Sequence, residues 1–384
     1  MTIPNSTPTR FMAGPTRLAG HKDKTVIVNG KETSLLDIII GMVDHKAKVL
    51  ADLFGGTNSV GSRALRAGIE LITNDWRKQS YYCALALLVN RTVEPTDEDA
   101  DRLTSGPLDP GPVTRLYGKP LGQANALEID RIIRNAQTLR ANGHEELAVA
   151  ASYGITHVIM EALKVYHLHL AEDKSVFLGN EHLRTLDLAS VWRRWFTCEY
   201  PRCLYAPDYP NVECHAMDAV DLIGSIRPDC AYVDTQYPTG GYDHVPDFKA
   251  LEDLCEVFEG MEESRIGKTR PLPKHRFGNR NNYLGSMSHL LIQAAHIPQL
   301  IISLNTSSEV RPEEVALLVR ATRRSCVVHK FPVDLPTTIL GKTTPSNCEC
   351  LLDCRLDEGL NAEIGLIKAE LAAKAKGIAE TITA

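Results

Sequence analysis

Apolar positions along the chain fall into short runs of strand length that alternate with segments of helical period. "KVLADLF" (48–54) and "IELITND" (69–75) are two such runs. Each leads into an amphipathic stretch: "SVGSRALRAG" (59–68), which Gly68 can end, and "WRKQSYYCALALLVNR" (76–91). Gly55 and Gly56 supply the turn between the first strand and its helix. Upstream, "ETSLLDIIIGMVDH" (32–45) predicts a helix with Ser34 as N-cap. Residues 48–90 therefore read as a β-α-β-α unit.

The pattern then changes. "RTVEPTDEDADRLTSGPLDPGP" (91–112) is polar and rich in turn residues, and "GQANALEIDRIIRNAQTLRANG" (122–143) and "HEELAVAASYGITHVIMEALKVYHLHLAED" (144–173) are helical in period, with no strand of comparable strength. Strand-and-helix alternation resumes with "NVECHAMDAVDLIGSI" (211–226) and the strand "CAYVDTQY" (230–237). The helix "LGSMSHLLIQAAH" (284–296) and the strand "QLIISLN" (299–305) follow. Next come the helix "PEEVALLVRAT" (312–322), with Pro312 in its opening turn, and the strand "RSCVVHKFP" (324–332). An alanine- and lysine-rich helix is expected over 361–382. The reading is a doubly wound, mostly parallel α/β sheet interrupted by a helical insertion. Residues 15–90 form its first part, 91–195 the insertion, 196–335 the second part and 336–384 a C-terminal extension.

Composition narrows the class. With 384 residues, 43% hydrophobic and 23% charged, the chain suits a globular protein. No apolar run is long enough to span a bilayer, and the opening MTIPNSTPTR lacks the apolar core of a signal peptide. Ten scattered cysteines suit free thiols in a reducing compartment, so a cytoplasmic location is expected. The net charge of −6 argues against indiscriminate nucleic-acid binding but not against a local basic groove. One such stretch is "SRIGKTRPLPKHRFGNRNNY" (264–283). It is either a solvated loop or a phosphate-facing one carrying Arg265, Lys268, Arg270, Lys274, Arg276 and Arg280, with Tyr283 as a stacking group.

The candidate chemistry lies at strand ends, where ligands of such sheets bind. Asp52 precedes a turn that is neither a P-loop nor a dinucleotide fingerprint, and a carboxylate there suits a ligand bearing an amine better than a pyrophosphate. Asp75 ends the second strand, where an acid can accept from ribose hydroxyls. Together these suggest S-adenosylmethionine, with Asp52 near the ammonium, Asp75 on the ribose and Trp76 against the adenine. Asp218 either accepts from the adenine amine or is a helix N-cap. Asp234, with the backbone carbonyl of Thr235, can hold an exocyclic amine by its two hydrogens, and Tyr237 can stack on the flipped-out base.

In their order, "DLFGGTNSVG", "ITND", "MDAVDLI" and "VDTQY" resemble the D12 class of adenine-N6 DNA methyltransferases. The resemblance covers roughly residues 15–335. It implies transfer of a methyl group from S-adenosylmethionine to adenine N6 in DNA, with the base flipped out. It further implies that Lys22, Phe54 and Gly56 line the cofactor and that residues 91–195 hold much of the target-recognition region. DNA would be the partner, and an assembly partner for the C-terminal helix fits a second reading, a DNA- or cofactor-binding subunit of a modification or defence assembly. Three positions depart from the pattern. Asn58 stands where the family has the last glycine of F-x-G-x-G, D-T-Q-Y replaces D-P-P-Y, and "HKFPVDLPTT" (329–338) lacks the aromatic-basic ending. Metal chemistry is not expected, since Cys348-x-Cys350-x3-Cys354 lacks paired structural-zinc spacing. "WRRWFTCEYPRCLY" (192–205) is open between a nucleic-acid platform and a packed aromatic core.

Overall fold

The computed structural model describes residues 25–28, 31–165, 184–206, 208–236, 238, 245–266, 276–278, 280–306, 308–322, 325–332 and 348–356. In chain order, β1 (Thr25–Val28) and β2 (Lys31–Ser34) form an antiparallel ribbon that leads into α1 (Leu35–Met42). β3 (Val49–Asp52), α2 (Ser59–Arg66), β4 (Glu70–Asn74) and α3 (Lys78–Ala84) form the expected β-α-β-α unit. Among the described residues the α-helices that follow are α4 (Asp97–Leu103), α5 (Pro112–Leu121), α6 (Gln123–Ala141), α7 (Glu145–Val165) and α8 (Leu188–Arg194). The sheet resumes with β5 (Val212–His215), α9 (Ala219–Ile223), β6 (Cys230–Val233), α10 (Val245–Phe258), α11 (Arg280–Gln293) and β7 (Gln299–Asn305). It ends with α12 (Pro312–Thr322), β8 (Ser325–Pro332) and β9 (Cys348–Arg355).

Seven strands make one sheet in the order β5-β4-β3-β6-β7-β9-β8. β5, β4, β3, β6 and β7 run parallel, and β9 lies antiparallel between β7 and β8. The sheet is thus doubly wound and mostly parallel, as the alternation of strand and helix predicts, and it is consistent with the S-adenosylmethionine-dependent methyltransferase type. β9 went unread in the sequence. Its residues "CECLLDCR" are buried on both faces, so no polar alternation marks them.

One face of the sheet carries α9, α11 and α12, packed through Leu222, Leu290 and Val315 onto Ala231, Val233, Leu300 and Leu352. On the other, α1 and α2 cover Leu50, Tyr232, Ile301 and Leu351. The helices between β4 and β5 share one apolar cluster with Leu71, with α3 and with Leu251, Leu254 and Phe258 of α10. The arginine-aromatic stretch belongs to that cluster: Trp192 and Phe196 stack at 4.8 Å, and the Trp192 indole donates to the Ala151 carbonyl at 3.0 Å. The structure therefore resolves that stretch as aromatic core, with Arg193 turned outward onto Asp97 and Asp101.

Two acids, Asp130 buried and Glu252 part-buried, hold helix starts from a distance. Asp130 of α6 accepts from the N–H groups of Gly111, Val113 and Thr114, at 2.8, 2.9 and 2.8 Å, at the opening turn of α5. Glu252 of α10 accepts from Lys78 and Gln79 N–H at 2.9 and 3.1 Å, capping α3, which has no cap of its own. Burial raises the Glu252 pKa above 4.5 despite these bonds. The folded state therefore holds this proton more tightly than the unfolded chain, and stability falls as pH rises from 4.5 through the raised value. Glu252→Gln is expected to remove that slope. It should also cost about 1 kcal/mol near neutral pH, because an amide can accept from only one of the two N–H groups. Urea midpoints at pH 5 and pH 8 test both effects; equal pH slopes in the two proteins would refute the first.

Candidate functional site

The direction of winding reverses between β3 and β6, and a crevice is expected over the carboxyl ends of the strands there. Asp52 is the last residue of β3, Asp75 directly follows β4, Asp218 lies three residues beyond β5, and Asp234 directly follows β6. Phe54, Gly56, Trp76, Asp218 and Asp234 are part-exposed, whereas Asp52 and Asp75 are 1% and 7% exposed. The fold thus assembles residues that lie more than 180 positions apart in sequence. Lys22, Tyr237, Lys268, Arg270 and Lys274 lie outside the described residues.

The turn after β3 uses two left-handed residues in close succession, Gly56 (φ 54°) and Asn58 (φ 59°). Asn58 N–H closes the turn onto the Gly55 carbonyl at 2.6 Å, and Gly55 N–H reaches the Asn74 carbonyl at 2.7 Å. The Asn58 side chain, at the position where the pattern this turn resembles has a glycine, is 2% exposed. Its oxygen accepts from the Thr73 hydroxyl at 2.7 Å and its nitrogen donates to the Ser80 carbonyl at 3.2 Å. The departure from the glycine pattern is therefore absorbed below the turn. It also fixes Gly55, where a Cβ would lie 2.7 Å from the Asn58 oxygen and 2.8 Å from the Thr73 hydroxyl. Asn58→Gly relieves the positive φ but strands two buried polar groups, and a net loss of about 1 kcal/mol is expected. Asn58→Ala loses the same bonds and adds left-handed strain, so about 2 kcal/mol is expected. Thermal melts ranking Asn above Gly above Ala would bear this out, and Gly equal to or above Asn would reject it.

Asn74 and Asp75 organise the neighbouring loops. The Asn74 amide donates to the carbonyls of Leu53 (3.0 Å) and Met217 (3.1 Å) and accepts from Met217 N–H (3.2 Å), so one buried side chain joins the loops after β3 and β5. Sequence reasoning passed over it because nothing in "ITND" separates a ligand-binding polar group from a loop-joining one. Asp75 accepts from Gly56 N–H at 2.8 Å on one oxygen, and from the Arg77 backbone N–H at 2.9 Å and the Arg77 Nε–H at 3.5 Å on the other. The oxygen bonded to Gly56 has a second lone pair, so capacity remains there for a hydroxyl-bearing ligand. Asp218 is the N-cap of α9, accepting from Val220 N–H at 2.8 Å, and its other oxygen pairs with Arg276 at 3.0 Å. An adenine amine would reach Asp218 by sharing or exchanging Arg276.

At the end of β6, Asp234 and Gln236 are part-exposed while Thr235 between them is 2% exposed. The Thr235 hydroxyl meets the Tyr283 hydroxyl at 2.7 Å. Tyr283 is fully buried in α11, which begins at Arg280 rather than at residue 284, so it is no stacking group for a nucleobase. Burial pushes its phenol pKa up, and the hydroxyl stays protonated. Of the predicted phosphate-facing side chains that are described, Arg276 pairs with Asp218 and Arg280 donates to the Glu309 carbonyl at 2.8 Å. Arg265 sits exposed at the end of a short turn of 3-10 helix.

Acids at the ends of four adjacent strands, with glycines in the turn after β3, suit a molecule rich in amine and hydroxyl donors and would repel a pyrophosphate. S-adenosylmethionine fits that donor set. Residues 29–107 match the D12 class N6 adenine-specific DNA methyltransferase family. The matched stretch holds Asp52, Phe54, Gly56, Asp75 and Trp76 and ends before Asp218 and Asp234. A type II methyltransferase of Haemophilus parahaemolyticus, M2.HphI, is 21% identical over 313 residues, which cover 79% of this chain and 89% of the relative. Both comparisons indicate a methyltransferase, and the family description names DNA adenine. Among the described residues no helix is long and apolar enough to cross a membrane. No group of three or more His, Cys, Asp or Glu among them is placed to hold a metal ion.

Proposed function

We propose that this protein transfers a methyl group from S-adenosylmethionine to the exocyclic N6 of adenine in DNA, with the target base turned out of the helix. The observation that carries the reading is the placement of Asp234 and Thr235 at the end of β6, beside the turn after β3 that the family match covers. Asp75 would hold the ribose hydroxyls, Asp52 the ammonium group, and Phe54, Gly56 and Trp76 would flank the ligand, with Asp218 toward its adenine and Lys22 at its edge. When bound, the cofactor supplies an electrophilic methyl group on a sulfonium.

The protein's part is to prepare the nucleophile. The Asp234 carboxylate and the Thr235 carbonyl accept the two amine hydrogens, drawing the nitrogen lone pair out of conjugation with the ring and aiming it. As the N–C bond forms, the methyl–sulfur bond would break to leave a neutral thioether; positive charge develops on the nitrogen, and Asp234 stabilises it. The surplus amine proton then passes to water. Tyr237 would stack on the base. Residues 91–195 would contribute to target recognition, and Arg265, Lys268, Arg270 and Lys274 would approach phosphates. Arg276 and Arg280 would join them only by leaving their present partners. Such an enzyme belongs in the cytoplasm with its DNA.

A non-catalytic DNA- or cofactor-binding subunit is the second reading, favoured by the loss of both prolines from the D-P-P-Y pattern. Calorimetric titration with S-adenosylmethionine, for the wild type and Asp75→Ala, is the first test. Saturable binding that the substitution abolishes, with an unchanged melt, supports the cofactor site. Absence of binding in the wild type, with and without DNA, would reject the enzymatic reading. Methylated adenine in an incubated DNA pool then separates enzyme from binding subunit.

A further inference from the structure

The loop that replaces two prolines with Thr235 and Gln236 has lost the restraint of fixed φ angles, yet its base, turned out for methyl transfer, needs sub-ångström placement. We propose that Tyr283 is a positioning residue that restores this restraint through its hydroxyl and ring together. The proposal rests on the methyl-transfer reading above.

The hydroxyl bond to Thr235 joins two side chains that are 2% and 0% exposed, so water cannot replace either partner. Tyr283 itself stands on a rigid base, because Met287, Leu290 and Leu291 of the same helix are buried in the core beneath β6 and β7. Its ring meets Phe277 edge-on at 5.6 Å, and Phe277 meets Phe54 edge-on at 5.6 Å. A chain of three rings therefore runs from the turn after β3 to the loop after β6. Beside it, Arg276 reaches Asp218 in the loop after β5. On the far side of Gln236, the Pro238 carbonyl accepts from Glu309 N–H at 2.9 Å, and the Glu309 carbonyl accepts from Arg280 at 2.8 Å. Residues 276–283 thus touch the ends of three strands and pin the loop on both sides of the position where the amine would sit. A proline supplies its restraint within one residue; here the restraint is imposed from a neighbouring helix and is shared with the cofactor turn.

The test uses Tyr283→Phe, Thr235→Val and the double variant of the full chain. The first readout is hydrogen exchange of the backbone over 234–238, without ligand. Each single substitution is expected to speed exchange there about tenfold and leave β6 unchanged, and the double is expected to do no more than either single, since one bond is lost in all three. The second readout is single-turnover methylation, expected to fall about tenfold in each variant while the KM for S-adenosylmethionine stays within about twofold. Unchanged exchange at 234–238, a spread of faster exchange into β6, or additive effects in the double variant would overturn the proposal. If Tyr283→Phe weakens the whole fold, Thr235→Val reads the same bond from the loop side. Failure of the wild type to methylate would refute the enzymatic reading, whereas the exchange pattern judges the brace by itself.

Discussion

Asp234→Ala is expected to lower single-turnover adenine methylation by about 10²- to 10³-fold while S-adenosylmethionine binding stays within about twofold. An amine conjugated with a purine ring is a poor nucleophile, and in the proposed mechanism the carboxylate acts where positive charge develops during transfer, so its removal should weigh on the transition state more than on binding. Asp234 is part-exposed at the end of β6, and its loss opens no hole in the core. The melting temperature should therefore stay within a few degrees. Asp234→Asn keeps a hydrogen-bond acceptor but not the charge, and an intermediate loss of about tenfold is expected. Mass-spectrometric counting of methylated adenine in a short duplex measures all three proteins. Activity of Asp234→Ala within threefold of the wild type would remove this residue from the mechanism.

The second large effect is on stability. Asp130→Ala is expected to cost about 3 kcal/mol, because three N–H groups at the start of α5 lose their acceptor at once in a site where Asp130 is 4% exposed. Gly111 is shaped to this contact: a Cβ there would lie 2.4 Å from a carboxylate oxygen. Asp130→Asn keeps one acceptor oxygen and should lose about half as much. Urea titration measures the difference, and a loss below 1 kcal/mol for alanine would show that the helix start finds other partners. Because α5, α6 and α10 share one apolar cluster, the loss is expected in the main unfolding transition and not as separate melting of the helices between β4 and β5.

How far the fold was readable depended on local pattern. Strands β3, β4, β6 and β7 announce themselves as short apolar runs, each followed by turn residues, and Ser34, Gly68 and Pro312 sit where helix starts and stops require them. Asp130 left a trace that could have been used: it falls on the same helical stripe as Ala126, Ile129 and Ile133, where an acid must have a buried partner. α10 and β9 were not read, the first because "VPDFKALEDLCEVF" sits among masking turn and charge signals, the second because burial on both faces erased its alternation. At the site, the order of acids after β3, β4, β5 and β6 was legible because strand ends are fixed by chain direction. What could not be read was partnership. No spacing rule says that Asn58 turns inward to Thr73, that Arg276 is spent on Asp218, or that Tyr283 reaches back 48 residues to Thr235. Those contacts depend on how three loops meet in space, and one sequence holds no period that reports it.

The antiparallel strand β9 also fixes an order of events during synthesis. It pairs along its full length with β7, from Gln299↔Arg355 to Asn305↔Glu349, and with β8 on its other side. Until it arrives, β7 presents a long unpaired edge, with Leu300, Ile301, Ile302 and Leu304 among its seven residues, beside the strand that leads into Asp234. Fifty residues separate the end of β7 at 305 from the end of β9 at 355 (355 − 305). At translation rates of about 5–20 residues per second, that edge stays open on the ribosome for roughly 3–10 s. The nascent chain is then at its most vulnerable to pairing with another copy, and a chain cut short between 306 and 347 would carry the loops after β3, β4, β5 and β6 but leave its sheet unsealed.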